Sequence, residues 1–324
     1  MKPIVYPTLM CPFHAALNPH AVEAQHATVA WARRFHLLER DASYQRLHRL
    51  QYGMLMARAY PSAAPETLQI ATDWSTWLFL LDDQCDEAGL GHNPEQLARF
   101  HTQLLGVLNG APPVQGMAPL AHGLWNLRTR ILSHAPEGWY QRFSDTVTHY
   151  FAANVWEATN RRQKHIPDAA SYCAMRLDTS AVYPCLLLIE LTERLCLPPA
   201  VCDHPVLQRL ATMANNVISW ANDIVSLEKE LRQGDVHNLA FILSQEQKIS
   251  LQAAVDRVAK LHDAEVSAFI ALAQQLPSFT PAIDAELQRY VLGMRYWMRA
   301  NLDWSLDTVR YRSVPVMPAE PVFA

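Results

Sequence analysis

The amino-acid sequence predicts an all-α fold. Apolar residues return at three- and four-residue intervals through most of the 324 positions, and no alternating strand patterns are joined by Asn-Gly or Asp-Gly hairpin turns. Glycine, which weakens helix interiors, occurs only 10 times. Segments 72–81 and 217–227 are apolar on more than one face, which suits helices inside a bundle and not on its surface.

The elements follow in chain order. A helix is expected over 21–38, where Ala24, Thr28, Trp31 and Phe35 form one stripe, and another over 43–58 through Tyr44, Leu47 and Leu50. Pro61 marks a turn before 64–87, which contains the apolar run Asp73-Trp74-Ser75-Thr76-Trp77-Leu78-Phe79-Leu80-Leu81. Pro94 opens 94–109, and 117–134 repeats Leu120, Leu124, Leu127 and Ile131. Pro136 precedes 138–162, which carries Phe143, Val147 and Phe151, and Pro167 precedes 168–193. The last three helices are expected over 204–232, 245–276 and, after Pro277, 280–305. Gly89-Leu90-Gly91 lacks the third glycine of a dinucleotide fingerprint and follows a helix, so it reads as a turn.

A chain of 324 residues exceeds the usual single-domain length, but no Gly/Ser-rich or low-complexity linker divides it. With 50% hydrophobic residues it is read as one domain, 1–324, with mobile ends at 1–20 and 312–324. A net charge of -4 without basic runs argues against nucleic acid as a partner. Neither a leader pattern nor a membrane-spanning stretch stands out, and the cysteines, Cys11, Cys85, Cys173, Cys185, Cys196 and Cys202, have no CxxC spacing. They are expected to be reduced and mostly buried in a cytoplasmic protein.

Two acidic patterns carry the chemistry. The first, Leu81-Asp82-Asp83-Gln84-Cys85-Asp86-Glu87, ends the aromatic helix. Asp82 and Asp86 are four apart, about 40° around a helix, so both can reach one point where their charges repel unless a cation sits between them. About 140 positions later comes Asn222-Asp223-Ile224-Val225-Ser226-Leu227-Glu228-Lys229-Glu230. There Asn222, Ser226 and Glu230 form a strip of amide, hydroxyl and carboxylate oxygens over about 80°, with Lys229 within about 20° of Asn222. Oxygen-only ligands without His or Cys suit Mg2+ sharing its coordination with substrate phosphates, and the ammonium suits the same phosphates. The 14 histidines form no HExxH pair and Ser180 has no glycine elbow, which sets aside zinc and serine hydrolases.

With both patterns in place, the chain resembles a bacterial class I terpene synthase, in particular a sesquiterpene synthase, over nearly its whole length. The likeness lies in Pro12-Phe13, Asn18-Pro19, Trp31-Ala32, Ala57-Arg58-Ala59-Tyr60-Pro61, the two acidic motifs and the terminal Arg310-Tyr311. The resemblance implies a single-domain helical bundle around a deep apolar cavity, three Mg2+ ions and ionisation of an isoprenyl diphosphate. It makes Asp82, Asp86, Asn222, Ser226 and Glu230 metal ligands, and Arg176, Lys229, Arg310 and Tyr311 diphosphate contacts. In such enzymes a backbone carbonyl after the sensor arginine triggers ionisation, which points here to Thr179, Ser180 and Ala181.

The implied chemistry matches the residue types. Breaking an allylic C–O bond loads charge onto diphosphate, which cations and donors stabilise, and leaves a carbocation that needs dry, aromatic walls. Phe79 heads the candidates for those walls, with Trp74, Trp77, Phe151, Trp156, Trp220 and Trp304. The expected activity is a carbon–oxygen lyase acting on phosphates: farnesyl diphosphate cyclised to a terpene hydrocarbon or alcohol by a monomer or homodimer. Geranyl or geranylgeranyl diphosphate are alternative substrates. A chain-elongating isoprenyl transferase and a non-catalytic helical protein are alternative classes, and the Asn-Ser-Glu pattern in place of a second aspartate-rich motif argues against the transferase.

Overall fold

In the computed structural model, residues 4–87 and 89–311 are described, with side chains throughout except at 85–87. Among them every regular element is helical: α1 (Ala21–Arg34), α2 (Asp41–Leu50), α3 (Tyr52–Ala59), α4 (Pro65–Glu87), α5 (Pro94–Leu108), α6 (Pro119–Leu132), α7 (Trp139–Gln163), α8 (Ala169–Thr179), α9 (Val182–Glu193), α10 (Pro199–Cys202), α11 (Pro205–Gln233), α12 (Leu239–Gln247), α13 (Leu251–Leu272) and α14 (Pro281–Asp307), with a 3-10 turn at Leu90–His92. Local chemistry sets many of the starts. Asn93, Asp168, Asn238, Ser250 and Thr280 each accept backbone N–H groups at the start of α5, α8, α12, α13 and α14.

Two expected helices, 43–58 and 168–193, are each two, and the one expected over 245–276 starts at Leu251, after a separate helix α12 that the sequence reading did not include. The chain breaks between α2 and α3 at Gln51 (φ 59°), between α8 and α9 at Ala181 (φ 55°), and between α12 and α13 at Lys248 (φ 54°). The helix expected over 21–38 ends at Arg34, just before His36 at φ 52°. None of these residues is glycine, so local preference opposes the left-handed conformation by about 1–2 kcal/mol at each position. Contacts remote in sequence have to hold it.

The chain divides into two compact units. One is Leu17–His165, built of α1 to α7. Here α4 packs against α1, α3 and α6, and α5 against α6 and α7. Gly53 lets α3 approach α1: a Cβ there would lie 2.6 Å from the Gln25 backbone, and Gln25 Oε1 accepts from Gly53 N at 2.7 Å. Asn18 is buried, donating to the Tyr60 and Ala63 carbonyls.

The other unit takes in the described residues of Met1–Ala16 and Ile166–Ser313. Its axis is α11, packed on α13, α14, α12, α9 and α8. Residues 4–16, read from sequence as part of a mobile 1–20 segment, are strapped along α13. Val5 exchanges two hydrogen bonds with Gln252, Met10 N donates to Asp263, and Phe13 meets the Phe269 ring edge-on at 5.9 Å. The tail 312–324 lies outside the described residues.

Cys11, Cys173, Cys185, Cys196 and Cys202 are free thiols; Cys185 and Cys202 are buried and Cys196 is exposed. Among the described residues no helix is long and apolar enough to cross a membrane.

Candidate active site

The first acidic motif closes α4, whose interior fixes its direction. Asp73 is buried and accepts from Arg130 Nη1 at 2.6 Å and Gln69 Nε2 at 2.7 Å. Burial pushes its carboxyl up to about 6 against the lowering charge of Arg130. Trp77 Nε1 donates to the Leu120 carbonyl at 2.9 Å, pinning the helix to α6. Asp82 and Asp83, at the other end, are half-buried. The side chain of Asp86 lies outside the described residues.

The aromatic candidates separate by exposure. Trp74 and Trp77 are 0% exposed and Phe151 is 1% exposed. Trp74 stacks on Trp77 and meets Phe143 edge-on; Phe151 stacks on His101 at 4.3 Å. These three, expected from sequence as cavity walls, are buried among other rings. Trp304 is also buried and meets the Tyr311 ring edge-on at 5.9 Å. Phe79, Trp156 and Trp220 are half-buried. One face of Phe79 lies against Tyr52, with ring centroids 4.3 Å apart and planes 3° apart. Trp220 packs beside the core of α11, α12 and α13.

The second motif lies along α11, and the structure joins it to two other predicted residues. Asn222 Oδ1 accepts from Arg176 Nη2 at 2.8 Å, and Asn222 Nδ2 donates to the Tyr311 hydroxyl at 2.7 Å. The sensor position on α8, the first residue of the motif and the terminal tyrosine therefore meet on one amide. Ser226 Oγ donates back to the Asn222 carbonyl at 2.7 Å. Lys229 is half-buried; Arg310, next to Tyr311 in the chain, is buried, and its backbone N–H donates to Thr308 Oγ1.

Glu230 accepts from Asn238 Nδ2 at 2.8 Å. Burial raises its carboxyl to about 7, and the like charges of Asp223 and Asp235 add to the rise, while Asn238 and Arg176 oppose it. A carboxyl crowded by two other acids on an oxygen-only strip fits a divalent cation, whose charge removes that repulsion.

Three residues of this cluster carried no role in the sequence reading. Asp223, 1% exposed, accepts from Tyr172 OH at 2.9 Å, Leu239 N at 3.0 Å and Arg176 Nε at 3.1 Å. Asn238, fully buried, donates to the Asp223 carbonyl and Glu230 and caps α12. The Asn222-Asp223 doublet was the one available signal; Tyr172 lies 50 residues before the motif, and Asn238, eight residues after Glu230, falls outside its spacing.

After Arg176 the helix expected over 168–193 breaks. Ser180 closes α8, its hydroxyl donating to Asn215 Oδ1 at 2.9 Å, and Ala181 turns left-handed before α9. Pro184 has no N–H to return to the Ser180 carbonyl four residues before it. Thr179 Oγ1 is buried without a hydrogen-bond partner.

An all-helical frame carrying these oxygen donors beside Arg176 defines a protein equipped for a cation and an anionic ligand. Comparison with known proteins narrows the class. Residues 73–268 match the family profile described as terpene synthase family 2, C-terminal metal binding, a span that contains both acidic motifs. The chain is 45% identical to a (+)-T-muurolol synthase of Roseiflexus castenholzii, over 94% of this chain and 93% of that protein. It is 36% identical to a germacrene A synthase of Nostoc punctiforme, over 97% of each. The crystal structure of germacradien-4-ol synthase from Streptomyces citricolor superposes with a TM-score of 0.82 at 28% identity, covering 92% of this chain and 98% of that one. The chain belongs to the terpene synthase family.

Proposed function

We propose that this enzyme ionises farnesyl diphosphate with Mg2+ and cyclises the resulting cation, releasing diphosphate. The observation that carries the reading is the junction at Asn222, where Arg176, before the second motif, and Tyr311, well after it, converge on a candidate metal ligand. The muurolol synthase relative is named as cyclising (2E,6E)-farnesyl diphosphate, which supports that chain length. In this reading the whole chain works as one catalytic domain around an apolar cavity.

Asp82, Asp86, Asn222, Ser226 and Glu230 would hold three Mg2+ ions. Bound Mg2+ supplies positive charge that stabilises the departing diphosphate. The chain's own donors add to it. Arg176, Lys229 and Arg310 offer charge-assisted hydrogen bonds that strengthen as the C–O bond breaks, and the Tyr311 hydroxyl gives one more. The Ser180 carbonyl, which Pro184 cannot satisfy, is the best candidate in 179–181 for a dipole aimed at the ionising carbon. Phe79, Trp156 and Trp220 retain ring surface and are the candidates to face the cation, each worth about 1–2 kcal/mol when desolvated.

The test is incubation with geranyl, farnesyl and geranylgeranyl diphosphates and Mg2+, with gas chromatography–mass spectrometry of the extract and assay of released diphosphate. Cyclic products containing fifteen carbons, formed from farnesyl diphosphate and lost on chelation, are expected. A longer prenyl diphosphate formed on adding isopentenyl diphosphate, or no diphosphate release from any substrate, would overturn the reading.

A further inference from the structure

We propose that Asp223 is a positioning residue that sets the plane of the Arg176 guanidinium for diphosphate, and that Tyr172 holds Asp223 in that task. The inference rests on the reading of Arg176 as a diphosphate contact.

A long arginine side chain has much rotamer entropy to lose when it is ordered, so an arginine that must meet an anion squarely gains from being fixed beforehand. Arg176 is fixed along one edge of its planar fork. Nε and Nη2 lie 3.1 and 2.9 Å from Asp223 Oδ1, and Nη2 also donates to Asn222 Oδ1. Two acceptors on one edge define the plane as well as the place of the group.

Asp223 is itself locked. Its side chain is 1% exposed, and Oδ2 accepts from the Tyr172 hydroxyl and from Leu239 N at the start of α12. Tyr172 and Arg176 are four residues apart on α8, one above the other on the same helix face. One face of α8 thus supplies both the arginine and the tyrosine that steadies the arginine's partner. Asn222 and Asp223, adjacent on α11, divide the work. Asn222 joins Arg176 to Tyr311, while Asp223 anchors Arg176 to α12 and the interior.

A residue that served stability alone would leave fewer active molecules when replaced, lowering kcat with KM unchanged. Replacing a residue that aims Arg176 instead raises KM and weakens the binding of pyrophosphate itself. Calorimetric titration of the full chain with inorganic pyrophosphate in Mg2+ reads the difference, alongside kcat and KM for farnesyl diphosphate. Relative to wild type, Arg176→Gln is expected to weaken pyrophosphate ~30-fold, Asp223→Asn ~10-fold with a matching rise in KM, and Tyr172→Phe ~3-fold. Because Asp223 acts through Arg176, the double variant Arg176→Gln/Asp223→Asn should bind within ~2-fold of Arg176→Gln alone.

Wild-type pyrophosphate affinity in folded Asp223→Asn, or losses that multiply in the double variant, would overturn the positioning role while leaving the Arg176 reading intact. Wild-type affinity in Arg176→Gln would instead remove the Arg176 reading and the proposal with it. If Asp223→Asn does not fold, Tyr172→Phe decides: a ~3-fold loss supports the proposal, and unchanged affinity refutes it.

Discussion

Replacing His101 by Phe should change how stability depends on pH more than it changes stability at neutrality. His101 is 2% exposed, stacked on the Phe151 ring, with Nδ1 3.2 Å from the Phe151 carbonyl and Nε2 buried without a partner. A proton on Nε2 would put an unsatisfied charge in the core, and burial holds the pKa down at about 4 against an ordinary 6.5. Below pH 6.5 the unfolded chain takes up a proton that the folded chain refuses until about pH 4, so acid removes stability across that window. The window from 6.5 down to about 4 corresponds to ~3.4 kcal/mol in total, of which ~2.5 kcal/mol is lost by pH 4.5.

Asp73 acts in the opposite sense. Its folded carboxyl titrates at about 6, above the ordinary 3.8, so between those values the folded chain holds the extra proton and stability rises as pH falls. The two slopes partly cancel in the wild type. The difference between wild type and His101→Phe removes Asp73 and every other shared group. Phe keeps the stack and loses one hydrogen bond, so at pH 7.5 the variant should lie within ~1 kcal/mol of wild type. At pH 4.5 it should have gained ~2.5 kcal/mol relative to wild type. Urea unfolding of both proteins at several values from pH 7.5 to 4.5 measures this. Parallel pH profiles, agreeing within ~0.5 kcal/mol, would refute a buried neutral histidine as the source.

Asp82→Ala and Asn222→Ala should each lower turnover by at least ~1000-fold while cooperative melting persists, because both residues are only partly buried; near-normal rates in saturating Mg2+ would remove them from the ligand set. Phe79→Leu should shift products toward earlier quenching of the cation, since the ring is half-buried with its other face on Tyr52; an unchanged product ratio in the folded variant assigns Phe79 to the core. Gly293→Ala would place a Cβ 2.5 Å from Ile189 Cγ2, so overpacking should outweigh the helix-propensity gain and cost ~1–2 kcal/mol. In an Ile189→Ala background that cost should vanish, and a persistent loss would locate the problem elsewhere.

The sequence by itself determined what depends on local spacing. Helical periodicity, the helix start at Pro94 and the four-residue strip from Asn222 to Glu230 are all properties of short segments, because one turn of helix fixes which residues share a face. Tertiary structure decided what depends on remote partners. No local signal separates the fully buried Trp74 and Trp77 from the half-buried Phe79 on the same helix, because exposure follows from what packs against each ring: Phe143 on Trp74, Phe151 on Trp77, Tyr52 on Phe79. The left-handed turns at Gln51, Ala181 and Lys248 carry no glycine to announce them. Asp223 stands in the motif in plain view, but its hold on Arg176, Tyr172 and Leu239 joins positions 47, 51 and 16 residues apart. Only the folded chain brings those groups within hydrogen-bond reach, because helix periodicity relates neighbours along one axis and says nothing about which helices pack together.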